Sequence, residues 1–324
     1  MPANLPPQYF DAEKRFRSAR DPADKIEVLE EMLSIMPKHK GTDHLRAELR
    51  GRIAKLTQAL SKKAATRRAS MLIEKEGAAQ AAVIGLPNAG KSQLVSSITN
   101  ASPTVAEYPF TTQNASPGMM EFENIKIQLI DTPPIAPDSY QFWLPHMLRR
   151  ADALLVVVDL SDAPLTRMKT ITAELKKMRI GIGAHSTSEE GIISHQKVLI
   201  IGNKIDLNDA RRHYATLQDK YEKQLPVIAV SARDGTGLDE LKPEVFQLLD
   251  IIRVYTKTPG EKPDFTDPIV LDKGSTMEDA AANVHKDFAA KLKYARVWGS
   301  GKHDGVMVKR DHILQNGDVI ELHL

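Results

Sequence analysis

The sequence predicts an α/β fold, a mostly parallel sheet covered by helices, with a helical region before it and a small β-grasp module after it. Three observations carry that expectation. Between about Gln80 and Asp250, short apolar runs alternate with stretches of helical spacing, the order that builds a parallel sheet with helices on both faces. The first run, Ala81-Ala82-Val83-Ile84, leads through the glycine-rich Gly85-Leu86-Pro87-Asn88-Ala89-Gly90-Lys91-Ser92 into Leu94-Val95-Ser96-Ser97-Ile98, a strand, loop and helix in succession. Beyond Asp250 the pattern shifts to short strands separated by turn residues.

A chain of 324 residues exceeds one comfortable core. We read a helical region over 1–78, a central α/β domain over 79–250 and a C-terminal domain over 251–324. Hydrophobic content of 42% with mixed charge suits a soluble protein. No apolar run approaches the roughly 20 residues that span a bilayer, and Met1-Pro2-Ala3-Asn4-Leu5-Pro6 lacks the basic and apolar regions of a secretory signal. A cytoplasmic protein with no membrane partner is expected. The absence of cysteine excludes disulfides, thiol catalysis and Cys-ligated zinc. A net charge of +2 leaves local clustering as the only argument for nucleic acid, and nothing points to DNA specificity.

In chain order, residues up to about Gln8 read as loose. Asp21-Pro22 is a good helix start, with Ile26, Leu29, Leu33 and Met36 following at helical spacing until Pro37 to Thr42 breaks it. Leu45, Leu49, Ile53, Leu56 and Leu60 form a second stripe, so a helical hairpin is expected. Its polar face is basic, from Lys38, Lys40, Arg46, Arg50, Arg52 and Lys55 to Lys62, Lys63, Arg67 and Arg68. Such a run is either a solvated helix face or an arm contacting RNA phosphates.

Within the central region, strands are expected at 81–84, 118–123, 125–130, 153–159, 197–202 and 226–230. Helices follow from 91, then near 140–150, 164–179, 208–223 and 238–254. Ligands of such sheets bind beyond the carboxyl ends of the strands, where the chemical motifs fall. The G-x-x-x-x-G-K-[ST] loop turns backbone N–H groups around a polyphosphate at a helix N-terminus. Gly85 to Gln93 would line it, with Lys91 on the β/γ-phosphates and the Ser92 hydroxyl on Mg²⁺. Asp131, in Asp131-Thr132-Pro133-Pro134, is placed to hold the same metal. A carboxylate suits guanine's adjacent N–H and NH₂ donors, so Asp206 is the candidate base selector. Asn203, Lys204, Ser231, Ala232 and Arg233 would frame the ring.

The order of these motifs resembles the Ras-like P-loop GTPases, and more narrowly the Obg and developmentally regulated GTP-binding (DRG) family. That resemblance covers the chain from about Ser34 onward and implies GTP and GDP as ligands with Mg²⁺. Tyr108-Pro109-Phe110-Thr111-Thr112 resembles the family's first switch, which makes Thr112, or else Thr111, the threonine that ligates Mg²⁺ beside a γ-phosphate. Two positions depart from the broader pattern. Pro134 replaces a glycine whose N–H senses the γ-phosphate, and proline has none; the amide of Ile135 is an alternative. Ile135 itself stands where many relatives place a water-orienting glutamine, so hydrolysis would rest on loop and metal electrostatics or on an accessory regulatory protein. By resemblance Asn88 offers a ligand for K⁺ in place of an arginine finger. The spacing from Asp131 to Asn203 leaves no room for the extra domain that DRG proteins often carry there.

Gly181 to Gln196, with His185 and His195, reads as a solvated loop, and Thr256 to Pro268 as an inter-domain loop. Strands at 269–271, 295–298 and 319–322, a helix from Met277 to Phe288, and 251–256 as a first strand suit a ubiquitin-like β-grasp. Val254-Tyr255-Thr256-Lys257, Pro263-Asp264-Phe265, Tyr294 to Gly299 and Asp318-Val319-Ile320 resemble the TGS domain of DRG proteins. Trp298 is either core or a surface for stacking RNA bases. The resemblance implies a slow, Mg²⁺-dependent GTPase whose nucleotide state regulates binding to ribosomes or structured RNA. The alternative, motivated by Pro134 and Ile135, is a nucleotide-gated scaffold with vestigial hydrolysis; an ATPase is disfavoured by Asp206.

Overall fold

The computed structural model describes residues 6–18, 22–36, 44–56, 73–99, 115–137, 141–183, 191–301 and 303–323. Two compact units divide the chain, Met1–Leu72 and Ile73–Leu324. In the first, the expected hairpin gains a third helix. Helix α1 (Pro7–Ser18) precedes α2 (Pro22–Ile35), and residues 44–56 form α3. Tyr9 and Ala12 of α1 are buried with Leu29 and Met32 of α2, Met36 and Leu49. α1 escapes the apolar pattern because its inward side is built from a tyrosine and an alanine, with Phe16 only partly buried. Arg46 is turned inward to the carbonyls of Leu33 and Met36, the latter at 2.9 Å, whereas Arg50, Arg52 and Lys55 are exposed. Lys38, Lys40, Lys62, Lys63, Arg67 and Arg68 lie outside the described residues, as does the Asp21 cap.

The second unit opens with β1 (Ala79–Ile84), α4 (Lys91–Ile98), β2 (Ser116–Phe122), β3 (Ile125–Asp131), α5 (Leu144–Arg150) and β4 (Ala153–Asp159). It continues with α6 (Pro164–Lys177), β5 (Ile180–Ile182), β6 (Ser194–Asn203), α7 (Ala210–Tyr221), β7 (Val227–Val230) and α8 (Leu238–Leu249). Strands run in the order β2-β3-β1-β4-β6, with β5 and β7 both pairing β6. All pairs are parallel except β2 with β3. Continuous apolar runs such as Ala153-Leu154-Leu155-Val156-Val157-Val158 are buried along their whole length, as a sheet covered on both faces requires.

Two expectations in this region are corrected. Gly181 to Gln196 is not wholly a loop, because Ile180–Ile182 pairs with Ser194–Gln196; His195 lies in that strand, and His185 lies outside the described residues. The helix expected over 238–254 ends at Leu249, where Asp250 takes a left-handed conformation (φ +53°) and the chain turns directly into β8 (Ile251–Thr256).

β8 belongs to a second sheet, with β9 (Ile269–Asp272), β10 (Tyr294–Trp298), β11 (Val306–Val308) and β12 (Val319–His323) in the order β11-β10-β12-β8-β9. β12 runs parallel to β8 and the other pairs are antiparallel. Thr256 to Pro268 therefore joins two strands of one sheet and is not an inter-domain loop. Helices α9 (Met277–Val284) and α10 (Lys286–Lys291) replace the single helix expected over 277–288. The break falls at His285, extended at φ −165°, whose Nδ1 accepts from the Asp287 N–H and so caps α10. Thr276 and Asp279 close a reciprocal capping box on α9. Met277, Ala280 and Ala281 pack with Val254, Val297 and Ile320 into a core separate from that of the larger sheet. Trp298 is half-buried and carries the Lys257 ammonium 4.7 Å from its ring centre, a cation–π contact on a partly open face.

Candidate functional site

The carboxyl ends of β1, β3, β4, β6 and β7 bring the motif residues to one rim. Gly85 leaves β1 so close to β4 that a Cβ would stand 2.5 Å from the Val157 carbonyl oxygen, which excludes any side chain. Asn88 (φ +61°) and Gly90 (φ +88°) turn the loop through left-handed conformations, and a Cβ on Gly90 would meet Asn203 Nδ2 at 2.3 Å. Helix α4 then begins at Lys91, and among the described residues no side chain caps its N-terminus. Its first-turn N–H groups are thus left for an anion, with the positive end of the helix dipole behind them. A cavity of about 340 Å³ lies against the loop, lined by Pro87, Asn88, Gly90, Lys91, Ser92, Gln93 and Pro134.

Beneath it, the buried Lys91 ammonium donates to the Gly85 and Leu86 carbonyls, both at 3.3 Å. Burial pushes its pKa down against the opposing attraction of Asp131. Burial likewise pushes the Asp131 carboxyl up, resisted by a hydrogen bond with Ser92 and by Lys91. Among the described residues, the buried Asp131 Oδ1 has no hydrogen-bond partner. An orphaned carboxylate oxygen beside a serine hydroxyl is the donor set of a hard cation, so Ser92 and Asp131 fit Mg²⁺. Thr112, and with it Tyr108 to Thr111, lies outside the described residues.

Asn203, 1% exposed, ties the rim together. Its Nδ2 donates to the Ala89 carbonyl at 2.9 Å, and its Oδ1 accepts from the Lys204 N–H at 2.9 Å and the Ala232 N–H at 3.0 Å. The phosphate-side loop and the Ser231-Ala232 turn are therefore held by one amide. Ser231 is buried, with its Oγ accepting from the Asp234 N–H at 3.3 Å, while Arg233 and Asp206 are exposed. Asp206 is exposed beside this fixed frame, where its carboxylate is open to solvent.

Asp159, at the end of β4, lies on the same rim and was not singled out from the sequence. It accepts from Lys204 Nζ at 2.8 Å and from the Ser161 N–H at 2.8 Å. Burial raises its pKa, but those hydrogen bonds outweigh it and hold the carboxyl below its ordinary value. Its signal was the strand-end aspartate of Val156-Val157-Val158-Asp159. The Ile135 amide, expected as a stand-in sensor of the γ-phosphate, donates instead to the Gly85 carbonyl at 3.0 Å, and the Ile135 side chain is fully buried. Thr132 bonds the Val83 carbonyl through its hydroxyl at 2.8 Å. The segment after Asp131 is thereby fastened to the strand and loop that carry the phosphate motif.

Residues 80–204 match the family model described as a 50S ribosome-binding GTPase, and residues 252–324 match that of the TGS domain. An uncharacterized GTP-binding protein of Methanocaldococcus jannaschii is 31% identical, with 92% of each chain covered. That alignment runs over 359 positions, longer than this chain's 324 residues, so the relative carries stretches with no counterpart here. A developmentally-regulated GTP-binding protein 2 homolog of Dictyostelium discoideum is 27% identical over 92% of this chain and 98% of its own. Among solved structures, the YchF GTPase of Schizosaccharomyces pombe superposes with a TM-score of 0.54 at 12% identity, covering 78% of this chain and all of that one. This last is a likeness of fold alone.

Proposed function

Because this chain belongs to the DRG/Obg family of P-loop GTP-binding proteins with a C-terminal TGS domain, we propose that it is a slow, Mg²⁺-dependent GTPase acting in the cytoplasm, whose nucleotide state governs docking on ribosomes or structured RNA. The observation that carries the nucleotide site is the threefold bonding of Asn203, which joins the loop beside Lys91 to the Ser231-Ala232 turn. In this reading the amides of Gly85 to Gln93 and the Lys91 ammonium hold the β- and γ-phosphates. Ser92, Asp131 and Thr112 are the metal ligands, and Mg²⁺ when bound offsets negative charge on the phosphate oxygens. Asp206 accepts from the guanine N–H and NH₂ groups, while Asn203, Lys204, Ser231, Ala232 and Arg233 frame the ring. Ile135 has no side-chain group to orient water, so turnover rests on electrostatic stabilisation of the departing phosphoryl group, or on an accessory regulatory protein.

Single-turnover release of phosphate tests this. Release that disappears in Lys91→Ala supports the assignment; no release from well-folded protein that binds GTP favours the scaffold reading. That second reading draws on the Ile135 amide already bonded to Gly85 and on Pro134, which has no N–H to offer. Asn88, in its left-handed turn, is proposed to face a K⁺ ion beside the phosphates. Turnover unchanged on replacing K⁺ by Na⁺ removes that part.

The docking parts in this reading are the basic helical region over 1–78 and the TGS domain over 251–324. The family description as 50S ribosome-binding and the exposed Arg50, Arg52 and Lys55 support it. Co-sedimentation with ribosomes, comparing GDP with a non-hydrolysable GTP analogue at several salt concentrations, tests it. Phosphate contacts would show as steep salt dependence.

A further inference from the structure

Strands β2 and β3 pair without interruption from Ser116 opposite Asp131 to Phe122 opposite Ile125. One end of this ribbon carries the metal-site carboxylate. The other end is the turn Glu123-Asn124, in which Glu123 is held in a left-handed conformation at φ +49°, a backbone state that costs free energy in a residue with a Cβ. The Glu123 side chain is largely exposed, but the turn is gripped from the C-terminal sheet. Arg253 of β8, 7% exposed, donates through Nη1 to the Glu123 carboxylate and to Asn124 Oδ1 at 3.3 Å. Its guanidinium lies 5.7 Å and 5.1 Å from the ring centres of Phe122 and Phe246, which stack on each other at 5.0 Å. Two residues further along β8, Tyr255 accepts from Asn124 Nδ2 at 2.8 Å, and the same amide donates to the Phe265 carbonyl at 2.9 Å. On the other side, Arg253 Nε and its backbone N–H both reach Asn316 Oδ1, at 3.2 and 3.0 Å, in the turn before β12.

Apolar attachment of the two domains is already supplied by Ile251 and Val270, which pack in the core of the larger sheet. A desolvated guanidinium adds little net adhesion beyond that, but it fixes position and register. A hydrogen-bonded two-stranded ribbon also transmits displacement along its length better than a loop does. We infer that the β2–β3 hairpin is a lever between the nucleotide site and the TGS domain, with Arg253 as the clasp that grips its tip. This rests on the proposed nucleotide site, since the lever's other end is Asp131. Coupling of this kind is reciprocal. The state of the phosphates alters how tightly β8 is held, and the clasp alters which nucleotide is preferred.

The full chain, with Mg²⁺ and either GDP or a non-hydrolysable GTP analogue, provides the test. Hydrogen exchange of Ile251–Thr256 is expected to differ between the two nucleotides by about fivefold or more, the lower range of measured couplings. The paired substitution Glu123→Ala with Asn124→Ala should abolish that difference and shift the ratio of the two nucleotides' Kd values by about the same factor. Arg253→Lys, which keeps the charge but not the forked, stacked geometry, should do likewise, and unchanged exchange in α9 would show that the TGS core is intact. If the wild type binds both nucleotides while β8 exchanges alike in each, or if the turn variant keeps the wild-type ratio, the lever is wrong and the nucleotide site stands. If the wild type binds neither nucleotide, both fail.

Discussion

Replacing Asn203 by alanine removes the amide that joins both halves of the rim. Two buried backbone groups, the Ala89 carbonyl and the Ala232 N–H, lose their partners, and the less buried Lys204 N–H loses a third bond. A buried polar group left unpaired costs about 1–3 kcal/mol, so the two buried groups together cost about 2–6 kcal/mol if the loops stay in place. Relaxation that admits water to the turn recovers part of this. A loss of about 3 kcal/mol would weaken GDP binding roughly 100-fold. Titration calorimetry with GDP and Mg²⁺ measures that loss, and urea unfolding monitored in parallel separates it from global destabilisation. Asn203→Asp is the companion variant. It keeps the Oδ1 acceptor but sets a second oxygen against the Ala89 carbonyl, so it should fall with alanine and not with wild type. An alanine variant that folds normally and binds GDP within about threefold of wild type would refute the reasoning.

Other outcomes follow from the same geometry. Asp206→Asn presents one acceptor and one donor where guanine needs two acceptors, so preference for GDP over other nucleoside diphosphates should collapse in competition titrations; retention of that preference would mean base selection was assigned to the wrong residue. Asp159 has a depressed pKa, so its pairing stabilises the fold above the ordinary carboxylate range and is lost as pH falls through the depressed value. Asp159→Asn should therefore cost on the order of 1 kcal/mol near neutrality, allowing for the solvent-reached lysine, with the gap from wild type closing on acidification. Leu29 is fully buried among the N-terminal helices, and Leu29→Ala should destabilise that unit by about 2–5 kcal/mol, read as lost helical circular dichroism at lower temperature while GDP affinity is unchanged.

What could be read in advance was what is written locally. Gly85, Gly90 and Lys91 announce themselves because their conformations and spacing admit few alternatives, and the fully buried strands are apolar runs with no competing period. The misses have two causes, partners remote in sequence and local signals that are weak or uncommon. Ile180–Ile182 is too short to signal a strand and exists only through its pairing with Ser194–Gln196. α1 turns a tyrosine and an alanine inward, which no apolar period announces. His285 is an uncommon helix cap, so the break between α9 and α10 left no mark. Within the site, Asp206 was legible from its motif, whereas Asp159 becomes meaningful only once folding brings it to Lys204. The bond from the Ile135 amide to Gly85 was invisible for the same reason.

Helix α8 passes to β8 across the single residue Asp250, and Ile251 still packs in the core of the larger sheet while Ile252 enters that of the C-terminal one. A module joined in this way has no tether on which to search for a second foothold, and the linker arithmetic of avidity does not describe it. Any macromolecule that engages the C-terminal sheet must accept the nucleotide-binding body in the pose it brings along, so the footprint of this chain on a partner is a composite of both.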